Sequence, residues 1–284
     1  MTTGTAYAAS TPPAQESADS GVTMSGAGAV RKVRFGQRIE LRGRASAAQD
    51  VRLEQAPAGG GWRPVATDRA AADGSYRFPV RARVSGAYRA VAGSHASLAH
   101  RLKVVARLSG KASRNVKIGR SVRVRGVLKP GLRGRSVRLQ LRTRGGWKTV
   151  DRARTGRGGR FRAAWRASRA GGYRLRVRFQ GDRRNVAVSR VLRGRAYVYR
   201  PAGASWYGLG GRTACGYTMN GSIKGVAHRS LPCGTRVRFW YRGHTVVAKV
   251  IDRGPFVGGR AWDLTPATKR ALGFGSTGTV WSTH

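Results

Sequence analysis

Val246-Val247-Ala248-Lys249-Val250-Ile251-Asp252-Arg253-Gly254-Pro255-Phe256 is a β-branched run that ends on a carboxylate, an arginine and a Gly-Pro turn. Val and Ile favour a strand, and Gly-Pro stops it. Asp252 is therefore expected where a strand meets a loop, the position from which rigid scaffolds present chemistry. Asp263 follows eleven residues later, inside Trp262-Asp263-Leu264-Thr265. Between Ala204 and His284 these two are the only Asp or Glu residues. Carboxylate chemistry in this segment must use one or both of them.

The flanking sequence reads as small strands and one helix. Val237 to Trp240, Thr245 to Ile251 and Thr279 to Trp281 have strand character. Thr265 to Leu272 has the signature of a short helix, with Thr265 as N-cap, Pro266 at the first position and Gly273 closing it. The chain has two cysteines, Cys215 and Cys233, each followed by Gly. No other Cys or His stands at ligand spacing beside them, so no metal site is expected. A disulfide is expected instead, closing an eighteen-residue loop and contributing about 3 kcal/mol. It implies an oxidising, extracytoplasmic compartment.

Upstream, the chain repeats itself with a period of about 85 residues. Arg31-Lys32-Val33-Arg34-Phe35-Gly36 matches Arg114-Asn115-Val116-Lys117-Ile118-Gly119. Ile39-Glu40-Leu41-Arg42-Gly43 matches Val122-Arg123-Val124-Arg125-Gly126, and Gly60-Gly61-Trp62 matches Gly145-Gly146-Trp147. Phe78 matches Phe161, and Gly86-Ala87-Tyr88-Arg89 matches Gly171-Gly172-Tyr173-Arg174. Each copy offers about seven short strands with turn signals every eight to twelve residues, the layout of a β-sandwich. The copies resemble bacterial immunoglobulin-like modules. Trp62, Trp147, Tyr88 and Tyr173 are expected in core or corner positions. Asp68 and Asp151 are expected to be structural, and both modules read as spacers or wall-binding units.

Residues 1–29 are rich in Thr, Ala, Ser, Gly and Pro and are expected to be unstructured. Ala6-Tyr7-Ala8 has the small-residue character of a cleavage site, as if left from a truncated signal peptide. The expected organisation is 1–29 unstructured, 30–106 and 107–196 sandwich modules, 197–203 linker and 204–284 a separate domain. No run is long and apolar enough for a membrane-spanning helix. Formal net charge is +45, with nine lysines among 56 basic residues. Such a chain seeks polyanions: nucleic acid, anionic membrane or acidic wall polymers. Many arginines alternate with apolar residues, as in Val122-Arg123-Val124-Arg125, which is also the pattern of a solvated strand face.

The last segment resembles the RlpA-like (rare lipoprotein A) family. The motifs that carry the resemblance are Ala204-Ser205-Trp206-Tyr207-Gly208, Thr213-Ala214-Cys215-Gly216, Gly225 to Thr235, Val250 to Phe256, Gly259 to Thr265 and Ala271-Leu272-Gly273, in that order. The resemblance implies a six-stranded double-psi β-barrel, a fold shared with expansins, and septal lytic transglycosylase activity on peptidoglycan glycan strands. The whole chain is thus expected to be all-β: two tandem Ig-like sandwiches, then this barrel. It is expected to act as a monomer without a cofactor.

A lytic transglycosylase needs one group to protonate the glycosidic oxygen and then to take the proton of the muramic acid 6-hydroxyl. Asp252 is the first candidate, assisted by His228, with Asp263 in support. Trp206, Tyr207 and Arg253 are candidate substrate contacts. Other roles fit the same residues: Asp252 as an ion pair with Arg253 that holds a turn, His228 packed before a Leu-Pro turn, Trp206 and Tyr207 in the core. The resemblance also places a Glu directly after Thr-Ala-x-Gly in enzymatic members, and here the residue is Tyr217. A phenol titrating near 10 is a poor acid at neutral pH. A non-catalytic, expansin-like wall binder is therefore the alternative. Nucleic-acid binding comes third, since no helix-turn-helix, RNP or KH signature accompanies the charge.

Overall fold

The computed structural model describes residues 21–208 and 210–284. The described residues are built almost wholly from strands, with one α-helix among them. Residues 1–20, and with them Ala6-Tyr7-Ala8, lie outside the described residues. Val22–Met24 falls within the stretch expected to be unstructured, yet it forms a strand antiparallel to Arg38–Ala45. Its Val-Thr-Met alternation turns Val22 and Met24 into the core, and Val22 is fully buried.

The first unit contains a three-stranded sheet of Val22–Met24, Arg38–Ala45 and Ser75–Arg81. A second sheet orders Arg63–Arg69, Asp50–Pro57, Gly86–Ala92 and His100–Val105. Val51, Leu53, Leu41, Phe78 and Leu102 fill the core between them. The second unit begins with the same plan. Arg107–Ala112, Ser121–Lys129 and Arg160–Arg166 form its three-stranded sheet, and Gly146–Arg154, Ser136–Thr143, Leu175–Asp182 and Asn185–Val191 the larger one. Val122, Val124, Leu139, Val177 and Val198 are its buried centre.

Strand pairing corrects one repeat match. Tyr76 lies opposite Gly43, and Phe161 lies opposite Gly126. Phe161 is therefore the counterpart of Tyr76, not of Phe78. In both copies the glycine is obligatory, because an added Cβ would strike a strand carbonyl and the partner ring: Thr23 O and Tyr76 at Gly43, Ser109 O and Phe161 at Gly126. Tyr88 is a core residue, and Tyr173 makes a corner by donating to the Arg169 carbonyl at 2.7 Å. Trp62 and Trp147 are not core. Trp62 lies under the Arg89 guanidinium at 4.5 Å and Trp147 under Arg176 at 4.5 Å. Asp68 and Asp151 accept backbone N–H groups, from Arg69 and Arg77 and from Arg152 and Ala164 respectively.

The 197–203 stretch expected as a linker is the middle of one continuous strand, β1 (Ala196–Trp206). Its first residues pair with Gly171–Tyr173 and with Asn115–Lys117 of the second module. From Arg200 onward it belongs to the next domain. The aromatic and β-branched alternation of Tyr197-Val198-Tyr199 suits a strand that is paired on both sides. Tyr199 is fully buried, donates to Asn115 Oδ1 at 3.0 Å and accepts from Arg238 Nε at 3.2 Å. Lys117 Nζ lies 4.4 Å from the centre of the Trp281 ring. Module and barrel are thus joined by a packed seam.

The other barrel strands are β2 (Gly225–Ala227), β3 (Arg236–Tyr241), β4 (His244–Asp252), β5 (Trp262–Leu264) and β6 (Gly278–Ser282). Their hydrogen-bonded order is β1-β5-β2-β4-β3-β6, and β6 pairs back onto β1, closing a six-stranded barrel. Val226, Phe239, Ala248, Val250, Trp262, Leu264 and Val280 fill it. Helix α1 (Pro266–Leu272) has the caps its sequence announced: Thr265 Oγ1 accepts from Thr268 N–H, and Gly273 is left-handed at φ 61. Among the described residues no helix is long and apolar enough to cross a membrane.

Candidate active site

The site is made by an irregularity in one strand. Along β4, buried and exposed residues alternate until Val250 and Ile251, which are both buried. Val226 lies opposite Val250, but Ala227 lies opposite Asp252, so Ile251 is an extra residue in the ladder. A bulge of this kind re-aims the side chain that follows it. Room for the displaced Ile251 comes from Gly225, where a Cβ would sit 2.3 Å from Ile251 Cδ1.

The bulge brings Asp252 level with Ala227, which is also level with Asp263 on β5. The segment's two carboxylates therefore share one transverse row, separated by a single small residue. Two strand spacings put their backbones about 10 Å apart. Ser205 lies opposite Asp263 on β1 and donates its hydroxyl to Asp263 Oδ1.

Asp252 is held by the chain around it. Its Oδ1 accepts from Ala214 N–H at 2.9 Å and from Arg253 N–H at 2.9 Å. The Tyr207 phenol lies next to the same carboxylate. Ala214 sits in a turn tied down by the Cys215–Cys233 disulfide, with Cα atoms 5.7 Å apart, so the expected pairing is present. Tyr207 completes the group. Its hydroxyl is buried, with no hydrogen bond of good geometry, in the field of both carboxylates. Burial first, then Asp252, then Asp263, push its ionisation far above the ordinary phenol range. The phenol stays protonated and remains a donor.

His228 has a different setting. Its backbone N–H donates to the Asp252 carbonyl at 3.1 Å. No hydrogen bond joins its ring to the Asp252 carboxylate, among the described residues. Instead Nδ1 accepts from Ser230 N–H at 3.2 Å and Leu231 N–H at 3.0 Å, which fixes the neutral tautomer with the proton on Nε2. The ring packs on Trp262, centroids 4.5 Å apart. Burial lowers its pKa, and Arg200, His284, Arg253 and Arg229 lower it further. His228 lines a recess of 590 Å³ with Arg200, Ser230 and His284, and Asp252 is not part of that lining.

Arg253 makes no ion pair with Asp252. It donates to the His228 and Leu231 carbonyls, at 3.2 and 2.9 Å, and approaches Cys233 Sγ at 3.2 Å. That is the work of a loop brace. Arg229, which sequence reasoning passed over, braces the loop after Asp252 through the carbonyls of Pro255, Val257 and Arg260. This loop exposes Phe256 (81%). Trp206 is exposed on the barrel surface, with Lys269 Nζ 3.8 Å from its ring centre. Tyr217 sits in the 213–217 turn, its hydroxyl against Gly234 beside the disulfide. Ser205 and the Ala214 amide were missed as site groups. Both lie within the motifs quoted above, but only strand register shows what they touch.

A family model described as lytic transglycolase matches residues 201–281. Residues 201–281 are a lytic transglycolase domain. Over 80 residues the chain is 48% identical to the probable endolytic peptidoglycan transglycosylase RlpA of Synechocystis, covering 26% of this chain and 25% of that protein. It is 41% identical over 91 residues to the endolytic peptidoglycan transglycosylase RlpA of Pseudomonas aeruginosa, 30% of this chain and 27% of that one. The namesake of Neisseria meningitidis serogroup A is 41% identical over 84 residues, 27% and 34%. The chain thus spans about a quarter to a third of the length of these relatives. The likeness is confined to the lytic transglycolase domain, and the two modules before it lie outside these matches.

Proposed function

We propose that this chain is a peptidoglycan-active protein of the cell envelope whose lytic transglycolase domain cleaves glycan strands, with Asp252 as acid and then base. The observation that carries the reading is the setting of the Asp252 carboxylate: Oδ1 is anchored by two amides, and the protonated Tyr207 phenol stands beside the same carboxylate. A protonated Oδ2 gives its proton to the glycosidic oxygen as the C1–O bond breaks. The muramic acid 6-hydroxyl then bonds to C1, and its proton returns to Oδ2. The product is a 1,6-anhydro ring, no water is consumed, and one carboxyl group serves both steps. Asp263, oriented by Ser205, supplies negative charge toward the cation-like C1. Tyr207 holds a proton between the two carboxylates. Neutral His228 offers Nε2–H to the sugar, and Trp206 offers an aromatic face.

A second reading is a wall-binding or wall-loosening protein without catalysis. Tyr217, standing where the resemblance places a Glu, favours it. Incubation with purified sacculi separates the two. Release of 1,6-anhydromuropeptides, reduced about 10³-fold in Asp252→Asn, supports the enzyme. Retention on sacculi without release, unchanged in Asp252→Asn, supports the binder.

A further inference from the structure

We propose that the three-stranded sheet of the second module is a binding surface for a linear polyphosphodiester of the cell surface, and that the equivalent sheet of the first module is not. The identity of the polymer rests on the envelope reading above; the contrast between the modules rests on the fold alone. In the second module Lys111 lies opposite Arg125, and Arg125 lies opposite Arg162. Three cations thus form one row across three strands, about 10 Å long. Like charges placed opposite one another destabilise a sheet. Arg123 and Arg160 extend the patch along their strands, and Arg154 joins it from the neighbouring sheet. All six are exposed. None is in an ion pair, among the described residues. Five of them line an open recess of 930 Å³ that contains no carboxylate. The nearby Asp151 has both oxygens engaged by backbone amides, at 2.7 Å each.

The first module is an internal control. Met24 opposite Gly43 corresponds to Gly110 opposite Gly126. The same row there is Ser25, Arg42 and Arg77. Glu40 forms an ion pair with Arg42, and Glu40 occupies the position of Arg123. Its recess, 660 Å³, contains Glu40; Asp68 there is amide-bound like Asp151, which stands beside Arg123, Arg125 and Arg162 in the second module, so Glu40 is the carboxylate that differs. The fold therefore accepts serine in place of Lys111 and glutamate in place of Arg123, so these two cations are not a requirement of folding. Guanidinium forks match the paired free oxygens of a phosphodiester. Those oxygens stay ionised at every pH a wall meets. Outward side chains recur every two residues along each strand, about 7 Å, so Arg123 and Arg125 on one strand, and Arg160 and Arg162 on the next, are spaced to meet successive phosphates of a threaded polyanion.

The test uses the full chain and fluorescently labelled poly(glycerol phosphate), titrated across a series of NaCl concentrations. K111Q/R125Q/R162Q is expected to weaken binding at least 10-fold at 0.1 M salt and to flatten the log–log salt slope by about two to three. R42Q/R77Q is expected to change affinity less than about 2-fold. Because the row repels itself, the triple variant should melt no lower than the parent, which excludes misfolding as the cause. Equal weakening by both variants overturns the proposal, as does unchanged binding by the triple. So does an oligonucleotide of equal phosphate number that binds at least as tightly through the same three residues. Product release from polymer-stripped sacculi by the triple variant should match the parent, so anchoring and catalysis are read separately.

Discussion

The Ala214 N–H donates to Asp252 Oδ1 at 2.9 Å, and the very next residue is locked to Cys233. The disulfide therefore does more than close a loop: it fixes one of the two amides that orient the candidate acid. Cys215→Ser/Cys233→Ser should lower stability by about 3 kcal/mol from loop entropy, seen as a fall in denaturation midpoint. Product release per folded molecule should fall as well, by about tenfold if one amide's orientation is lost. Activity that tracks the folded fraction alone would mean that the amide is held without the bond.

Tyr207→Phe isolates the hydroxyl between the two carboxylates. That hydroxyl is buried without a good hydrogen bond, so its removal relieves a desolvation penalty of about 1 kcal/mol. The variant should be as stable as the parent or slightly more so. Product release should nevertheless fall about 10²-fold, since a protonated donor in the site is lost. Thermal melting and sacculus digestion on one preparation check both halves. A destabilised but fully active variant would assign Tyr207 to packing.

Much of this was legible beforehand, for particular physical reasons. The strands flanking Asp252 and the helix from Pro266 announced themselves through β-branched runs and cap chemistry, which are local signals. Asp252 and Asp263 stood out because the segment has no other carboxylates. What could not be read was register. The bulge at Ile251 decides that Asp252 and Asp263 share a row, and it depends on a glycine 26 positions earlier in the chain. The same limit applies to Arg253, whose partners are carbonyls across a loop, and to β1, where a short Tyr-Val-Tyr run between two domains looks like a tether until its pairing on both sides is known.

His228 and His284 share the Arg200 guanidinium as a cause of their lowered pKa, after burial. An unfolded histidine titrates near 6.5. In the folded chain both titrate lower, so protons bind the unfolded chain more readily. The stability contributed by these neutral imidazoles is complete above about pH 6.5 and is lost as pH falls through the folded values. Arg200→Gln should raise both values and flatten the acid limb of the stability curve. Imidazole resonances followed by NMR across pH 4–8 check the first, and denaturant midpoints the second. Resonances unmoved by the substitution would mean that Arg200 contributes to neither histidine.

Gly225 and Ile251 should be coupled energetically, because the absent Cβ of one is the space of the other. Gly225→Ala puts a methyl 2.3 Å from Ile251 Cδ1 and 2.6 Å from its Cγ1. Overpacking of this kind costs about 1–3 kcal/mol. The cheapest relaxation straightens the bulge, which would slide Asp252 out of the row it shares with Asp263. Activity should therefore fall further than stability accounts for. Ile251→Ala alone should cost about 2–4 kcal/mol as a cavity. In the double variant the new methyl enters that cavity, so the combined loss should be at least 1 kcal/mol smaller than the sum. Activity should recover partly, because the bulge has room again. Additive losses would mean that Ile251 yields without disturbing the strand, and that the alignment of the two carboxylates has another origin.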